Sequence, residues 1–255
     1  MIPAILLMGP TAAGKSALAM TLAERFDGEI VTVDSAQVYR GLDIGTAKPD
    51  REARARRPHH LLDLVDPTEA YSAARFAHEA RDAIAGVRGR GRVPIVAGGT
   101  MLYFKALIEG LSALPQADAR VRADLDAQAR ARGWPALHDD LARVDAATAS
   151  RLKPTDAQRI QRALEVFMTT GAPLSSLQGR REPLPLGDRK VLSLLPLDRA
   201  RLHEAIAQRF DAMLAAGLVD ELDALRRRHA LTPDLPSKRA GRNRVAFHAT
   251  SAESG

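Results

Sequence analysis

The chain has 255 residues, of which 45% are hydrophobic and 27% charged, the composition of an ordinary globular protein with one sizeable core. It contains no cysteine, which excludes disulfide bonds and zinc–thiolate sites, and no apolar run long enough to cross a membrane. The formal net charge of +6 is compatible with a nucleic-acid partner but does not identify one. Because residues 1–3 lead directly into an apolar run, we expect no signal peptide and a cytoplasmic location.

The first predicted strand, Ala4–Met8, is followed by eight residues that fit the phosphate-binding pattern G-x-x-x-x-G-K-[ST]. These residues are Gly9, Pro10, Thr11, Ala12, Ala13, Gly14, Lys15 and Ser16. A helix is predicted next, over 16–26. When a strand, such a loop and a helix follow one another, the N–H groups of the loop point at an oxygen anion. Lys15 adds a positive charge, and the Ser16 hydroxyl is placed to bind magnesium carried by the phosphates. The pattern leaves open which phosphorylated molecule is bound and whether it donates phosphate.

The first 112 residues alternate short apolar runs with helical patterns, which predicts an α/β fold: a P-loop NTPase-like parallel sheet flanked by helices. The predicted strands are 4–8, 29–33, 61–65 and 93–97, and the predicted helices are 16–26, 72–88 and 101–110. Ligands of such sheets bind beyond the carboxyl ends of the strands. We therefore expect the polar residues at those ends to converge.

Polar residues follow two more of these strands. Asp34 is interpreted either as a turn or helix-capping residue, or as a carboxylate beside the phosphate loop that acts as a general base or an indirect magnesium partner. The segment after strand 93–97 is Gly98, Gly99 and Thr100. It is either a plain turn in which Thr100 caps the next helix, or it places the Thr100 hydroxyl and backbone amides against a reacting oxygen.

Two absences narrow the class of enzyme. Strand 93–97 ends in glycine where ATPases of this fold carry Asp or Glu, and the chain has no Asn-Lys-x-Asp string. A small kinase or another group-transfer enzyme is therefore favoured over a motor ATPase or a GTPase. His59-His60 lacks a third ligand at recognisable spacing, so we interpret it as an ordinary pair and not as a metal site.

Helical patterns dominate from residue 114 onward. Helices are predicted at 118–132, 137–149 and 155–170, which gives an all-helical insertion domain, 113–185, within a catalytic core of 1–112 and 186–230. A strand at 191–197, an amphipathic helix from Asp198 to Gly217 and a helix at 218–229 are predicted in the second part of the core, and the tail 231–255 is expected to be disordered. Arg159 and Arg162 are either part of a solvated helix face or a strip that contacts phosphates and bases.

Several segments resemble the bacterial tRNA dimethylallyltransferases (tRNA isopentenyltransferases). They are MGPTAAGKS at 8–16, VDSAQVY at 33–39, DIGTAKP at 43–49, AYSAA at 70–74, GGTMLYFKAL at 98–107 and QRIQRALEV at 158–166. Together they cover residues 1 to about 237 in the family's order. Only the phosphate loop is generic.

The resemblance implies a reaction and its substrates. A dimethylallyl group would move from dimethylallyl diphosphate to the exocyclic amine of adenosine 37, beside the anticodon, in tRNAs that read codons beginning with U. The products would be N6-isopentenyladenosine and diphosphate. The phosphate loop would then hold a leaving group and not ATP. The adenine would have to leave its stack to reach the site.

The resemblance also assigns roles residue by residue. Asp34 would be the general base, Thr100 would contact the bridging oxygen of the donor, and Lys15 and Ser16, with Mg2+, would stabilise the departing diphosphate. The residues expected to contact the anticodon stem-loop of tRNA are Asp34, Ser35, Ala36, Gln37, Thr100, Arg122, Gln158, Arg159, Ile160, Gln161, Arg162 and Arg239. We expect a monomer that does not bind membranes.

The end of the chain departs from the family pattern. After 235–237 the family continues with an arginine, two residues, Gly-Tyr-Arg and several helices, whereas this chain reads KRAGRNR at 238–244. A frameshifted or shortened reading frame is our hypothesis, which nucleotide sequencing through codon 238 tests. Two alternatives stay open beside tRNA prenylation: a small-molecule kinase in which Asp34 activates a hydroxyl, and a tRNA-binding remnant without catalysis.

Overall fold

The computed structural model describes residues 2–112, 114–179 and 186–229. The strands within these ranges are β1 (Ala4–Met8), β2 (Gly28–Val33), β3 (His59–His60), β4 (Val93–Gly98) and β5 (Arg189–Ser193). The helices are α1 (Lys15–Arg25), α2 (Arg51–Arg56), α3 (Ala73–Gly89), α4 (Met101–Glu109), α5 (Ala119–Val144), α6 (Ala146–Ala149), α7 (Ala157–Thr170), α8 (Leu174–Leu177), α9 (Arg199–Ala215) and α10 (Leu218–His229). The predicted tail and Arg239 lie outside the described residues.

The five strands form one parallel sheet in the order β3-β2-β4-β1-β5. Successive strand residues face opposite sides, so each side has its own apolar core. The residues buried on the side of α1 are Leu7, Ile30, Ile95, Ala19 and Ala23. Those buried on the side of α3 and α4 include Leu6, Val31, Val96, Phe76 and Phe104. The predicted parallel sheet flanked by helices is therefore confirmed.

The strand predicted at 61–65 is wrong, because β3 lies two residues earlier. Leu61 and Asp63 have φ values of 65° and 55°, in the left-handed region that an extended strand excludes. Val65 only forms an isolated bridge with Tyr39. The apolar residues of 61–65 correctly indicated burial, but the backbone there forms a turn and not a strand.

Near the other end of the sheet, β5 is shorter than the strand predicted at 191–197. α9 forms where an amphipathic helix was predicted, but none of its residues is buried among those the structure describes. It packs against α10. Its apolar stripe, which includes Phe210, is therefore partly exposed.

The chain forms two compact units, Met1–Ile108 with Leu184–Gly255, and Glu109–Pro183. The second unit is all-helical in its described part. α5 is broken at Gly133 (φ 80°, ψ 156°), and Pro135 falls in the first turn of the segment beyond the break, where its missing N–H is tolerated. Asp145 then ends α5 and caps α6, which interrupts the helix predicted at 137–149.

The aromatic residues divide between the two units. The three tyrosines of the chain, Tyr39, Tyr71 and Tyr103, all belong to the core on the α3 side, where the Tyr103 ring stacks on Phe76 at a centroid distance of 4.3 Å. The single tryptophan, Trp134, packs against the core of the helical unit.

Glu29, at the start of β2, is only 1% exposed and is surrounded by cationic side chains. It accepts hydrogen bonds from Arg90 at 2.6 and 2.9 Å and from Arg92 at 3.1 Å, and lies 2.6 Å from His60 Nε2. The hydrogen bonds from Arg90 outweigh the effect of burial and, with those of His60 and Arg92, lower the pKa of Glu29 to about 2. His60 thus belongs to this cluster, and His59 Nδ1 lies 2.9 Å from the Arg57 carbonyl oxygen.

We expect Glu29→Gln to lower the free energy of unfolding by about 2 kcal/mol at neutral pH, because the buried carboxylate loses its hydrogen bonds with Arg90, Arg92 and His60, whose own side chains are partly exposed. Since the folded-state pKa lies below the ordinary 4.5, this stabilisation is complete above about pH 5 and is lost as the pH falls towards 2. Urea denaturation across this range should therefore show a flatter pH dependence for the variant. Glu24→Gln, a change at an exposed ion pair, is the control and should cost under about 1 kcal/mol; equal losses in both variants would contradict the assignment.

Candidate active site

The phosphate-binding loop, 9–16, connects β1 to α1. Gly14 caps α1 in the left-handed conformation (φ 77°, ψ 9°), which glycine adopts at little cost, and α1 has no side-chain cap. A Cβ at Gly9 would lie 2.6 Å from the Leu194 carbonyl oxygen, so only glycine fits there. The N–H groups of the first helical turn have no intrahelical partner and form a site for an anion.

Lys15 is half-buried, and its Nζ donates a hydrogen bond to the Pro10 carbonyl oxygen. Burial lowers the pKa of Lys15, the charge of Arg209 lowers it further, and Asp34 acts in the opposite direction. A second cation and the carboxylate thus lie close enough to the Lys15 ammonium group to act on it. Two cations of this kind favour a ligand with more than one negative charge.

Arg209 lies on α9 and was not predicted from the sequence. It stands in an amphipathic pattern without a motif, and no local signal indicates that the helix returns to the loop after β1. It also lines a cavity of about 690 Å³, together with residues of the segment 43–54 and of α9. Arg209 therefore lines this cavity and also acts on Lys15 of the phosphate loop.

The carboxyl ends of β2 and β4 are joined by hydrogen bonds. The N–H groups of Gly99 and Thr100 donate to the Val33 carbonyl oxygen at 3.2 and 3.3 Å. Thr100 Oγ1 accepts from Ser35 N at 3.2 Å and lies 3.2 Å from Ser35 Oγ. A Cβ at Gly98 would lie 2.0 Å from the Val33 carbonyl oxygen, so glycine is required for this approach.

Asp34 is half-buried and stabilises the turn that follows β2. Its Oδ1 accepts hydrogen bonds from Ala36 N at 2.8 Å and Gln37 N at 3.3 Å. Its Oδ2 receives no hydrogen bond from the part of the chain that the structure describes. Besides Lys15, Asp34 acts on Tyr103, whose pKa is raised mainly by burial. The turn therefore holds Oδ1 in place and leaves Oδ2 available to a substrate.

Three adjacent strands, β1, β4 and β2, end beside one another, and the candidate site residues follow them: the loop 9–16, Thr100, and Asp34 with Ser35. The separation across this edge is small: a Cβ at Gly99 would lie 3.4 Å from the Gly9 carbonyl oxygen and 4.0 Å from Lys15 Nζ. Ser16 is exposed in the first turn of α1. An anion site, a carboxylate and a hydroxyl are thus close together, an arrangement suited to group transfer from a phosphate-bearing donor.

In the helical unit, Arg122 and Arg162 are bound to Glu165, which is fully buried. Arg122 donates two hydrogen bonds to this carboxylate, at 2.8 and 3.0 Å, and Arg162 donates one at 2.7 Å. Burial raises the pKa of Glu165, but these hydrogen bonds and one from Asp118 N outweigh it and lower the pKa. Both arginines therefore have a structural partner within the unit.

The other residues of this predicted strip differ in exposure. Ile160 is fully buried in the core of the unit, so its side chain supports α7 and is not accessible to a ligand. Gln161 donates to Asp126 at 3.0 Å. Gln158 and Arg159 are exposed, and Arg159 Nη1 lies 3.0 Å from Asp156 Oδ2. These two side chains are the most exposed part of the strip.

Comparisons with known proteins agree with one another. Residues 37–248 match the family model described as IPP transferase, and residues 2–62 match the one described as isopentenyl transferase. The chain is 55% identical over 251 residues to a tRNA dimethylallyltransferase of Ralstonia nicotianae, covering 96% of this chain and 78% of the relative. 

Two solved structures are also similar. One is the full-length tRNA isopentenylpyrophosphate transferase of Bacillus halodurans (TM-score 0.57, 36% identity, 89% of this chain and 71% of that chain). The other is a eukaryotic dimethylallyltransferase acting on tRNA (TM-score 0.73, 30% identity, 90% of this chain and 57% of that chain).

We expect Arg209→Ala to weaken the binding of inorganic pyrophosphate about tenfold, because one charge-assisted contact with the anion is lost. Titration calorimetry measures the affinity. Arg199→Ala, at the exposed start of the same helix, removes the same charge and should leave the affinity within about twofold. Equal affinities of the Arg209 variant and the unaltered chain would remove Arg209 from the site.

Proposed function

The chain belongs to the tRNA dimethylallyltransferase family, and we propose that it transfers a dimethylallyl group from dimethylallyl diphosphate to N6 of adenosine 37 in tRNAs that read codons beginning with U. The observation that supports this most strongly is the position of Asp34. Its carboxylate acts electrostatically on Lys15 of the phosphate loop, so a base and a diphosphate site lie together. The chain is thus a prenyltransferase that acts on tRNA.

The donor's diphosphate occupies the loop after β1. The N–H groups of the first turn of α1, Lys15 and Arg209 surround its oxygen atoms. As the bond between C1 of the dimethylallyl group and the bridging oxygen breaks, negative charge develops on the diphosphate, and these groups are already oriented towards it. Thr100 Oγ1, held by its hydrogen bonds with Ser35, contacts the bridging oxygen.

Mg2+ is the cofactor we propose. Within the described ranges no three His, Cys, Asp or Glu side chains lie together as a metal site. The Ser16 hydroxyl, exposed beside the loop, fits an ion that takes its other ligands from phosphate oxygens and water, which is how magnesium usually binds. When bound, the ion neutralises part of the diphosphate charge.

Asp34 removes the proton from the exocyclic amine. The nitrogen of an adenine amine is a weak nucleophile, and its proton becomes acidic as the bond from N6 to C1 forms. Asp34 Oδ1 is fixed by the N–H groups of Ala36 and Gln37, so Oδ2 takes the proton. One N–C bond forms, one C–O bond breaks, and the products are N6-isopentenyladenosine and diphosphate.

The tRNA contacts that we propose in the first unit are Ser35, Ala36, Gln37 and Thr100, which lie around Asp34. In the helical unit, the exposed Gln158 and Arg159 contact the anticodon stem-loop, and Arg122, Gln161 and Arg162 contribute through their exposed atoms. The adenine leaves its stack to reach Asp34. We propose that the enzyme acts as a monomer in the cytoplasm, where tRNA is modified.

The purified chain, an anticodon stem-loop and labelled dimethylallyl diphosphate test the function directly. Label entering the RNA supports it. Label remaining in the donor, with phosphate moving instead from ATP to a small molecule, would favour the kinase. Binding of the stem-loop without any transfer, even at high enzyme concentration, would identify a non-catalytic remnant.

We expect Asp34→Asn to lower turnover by about two to four powers of ten, because asparagine keeps the oxygen that holds the turn but cannot accept the proton. Asp34→Ala should lose as much. Single-turnover transfer of label measures the rate, and tRNA binding should be largely kept. Asp27→Asn, just before the opposite end of β2, is the matched control; an Asp34→Asn variant as fast as this control would show that Asp34 is not the base.

We expect Arg159→Ala to weaken tRNA binding and to reduce the slope of log affinity against log salt by about one, since one phosphate contact is lost. Filter binding at several salt concentrations measures both quantities. Arg25→Ala, at the end of α1 away from the phosphate loop, is the control. If the two variants bind identically across salt, α7 is not part of the interface.

A further inference from the structure

The first two turns of α10 pack against the segment 41–47, which follows the Asp34 turn. Leu218 and Leu225 are buried (2% and 6% exposed). A Cβ at Gly45 would lie 2.8 Å from Leu218 Cδ1, and a Cβ at Gly41 would lie 2.9 Å from Leu225 Cδ2. The two glycines therefore let the helix approach the backbone closely.

Glu221 lies between these two leucines and binds the backbone of the same segment. Its Oε2 accepts hydrogen bonds from Asp43 N at 2.8 Å and Ile44 N at 2.7 Å, and its Oε1 accepts one from Gly45 N at 3.0 Å. Hydrogen bonds from N–H groups to a carboxylate are stronger than those between neutral groups. The Glu221 side chain thus fixes three consecutive residues of the segment.

The segment is linked in turn to the catalytic carboxylate. Gln37 Nε2 donates to the carbonyl oxygens of Thr46 at 2.9 Å and Ala47 at 3.2 Å. Gln37 N donates to Asp34 Oδ1. A continuous path of hydrogen bonds and three peptide units therefore joins Glu221 to Asp34.

We propose that Glu221 is a positioning residue for the reaction: by holding residues 43–45, it sets the orientation of the Gln37 amide and of the Asp34 carboxylate towards the adenine. The inference rests on the proposed function. Because the diphosphate site lies in the loop after β1 and not in this segment, loss of Glu221 slows the reaction with tRNA and leaves the KM for the donor unchanged.

Steady-state transfer by Glu221→Gln tests this directly. Glutamine keeps the size of the side chain but brings an NH2 group against backbone donors, so at least one hydrogen bond is lost. We expect kcat/KM for the stem-loop to fall about tenfold, the effect of one lost hydrogen bond to a charged group, with KM for dimethylallyl diphosphate within about twofold. Asp223→Asn, an exposed change of the same charge on the same helix, is the control and should match the unaltered chain.

A second variant approaches the same contact from the other side. Gly45→Ala places a methyl group against Leu218, and we expect the same selective loss for the stem-loop. If either variant raises the KM for dimethylallyl diphosphate as strongly as it lowers kcat/KM for the stem-loop, or leaves kcat/KM for the stem-loop unchanged, the positioning role is overturned.

Hydrogen exchange followed by NMR tests the positioning role of Glu221 independently of activity. In Glu221→Gln the amides of Asp43, Ile44 and Gly45 should exchange faster, and so should those of Ala36 and Gln37, which donate to Asp34. The Leu18 amide in α1, which donates to the Gly14 carbonyl oxygen, should be unchanged. Unchanged exchange at Ala36 and Gln37 overturns the inference even if the enzyme is active, whereas an unaltered chain that transfers no label overturns the proposed function alone.

Discussion

The site depends on how closely three parallel strands approach one another at their carboxyl ends. β2, β4 and β1 are neighbours in the sheet. The ends of β4 and β2 touch at Gly98, where a Cβ would lie 2.0 Å from the Val33 carbonyl oxygen, and Gly99 lies close to the Gly9 carbonyl oxygen after β1. This contact places a phosphate-binding loop, a carboxylate and a hydroxyl at the same edge of the sheet. A larger residue at Gly98 would separate the ends of β4 and β2 and with them the groups that must act on one substrate.

Local patterns predicted this part of the molecule well. The phosphate loop combines a motif with an apolar strand before it and a helix after it, and each requirement is met by residues adjacent in the chain. The sheet class follows from the alternation of strands and helices. The predicted strand 61–65 failed because an apolar run indicates burial without fixing the backbone, and the positive φ of Leu61 and Asp63 has no signature in residue type.

Long-range contacts were not predictable in the same way. Arg209 and Glu221 lie in helices near the end of the described chain and act on segments about 190 and 175 residues earlier. Nothing in the helical pattern marks either residue, because the pattern records only which face is apolar. In the helical unit, Arg122 and Arg162 look like surface cations in the sequence, and only the structure reveals Glu165 between them.

The distribution of aromatic residues has a practical consequence. All three tyrosines belong to the core of the sheet unit, and the single tryptophan belongs to the helical unit. Light absorbed at the red edge of the aromatic band excites tryptophan alone, so its emission monitors the melting of the helices around Trp134. Near-ultraviolet dichroism from the buried tyrosines, with Tyr103 stacked on Phe76, monitors the core of the sheet unit. The chain thus carries an optical reporter in each unit without any label.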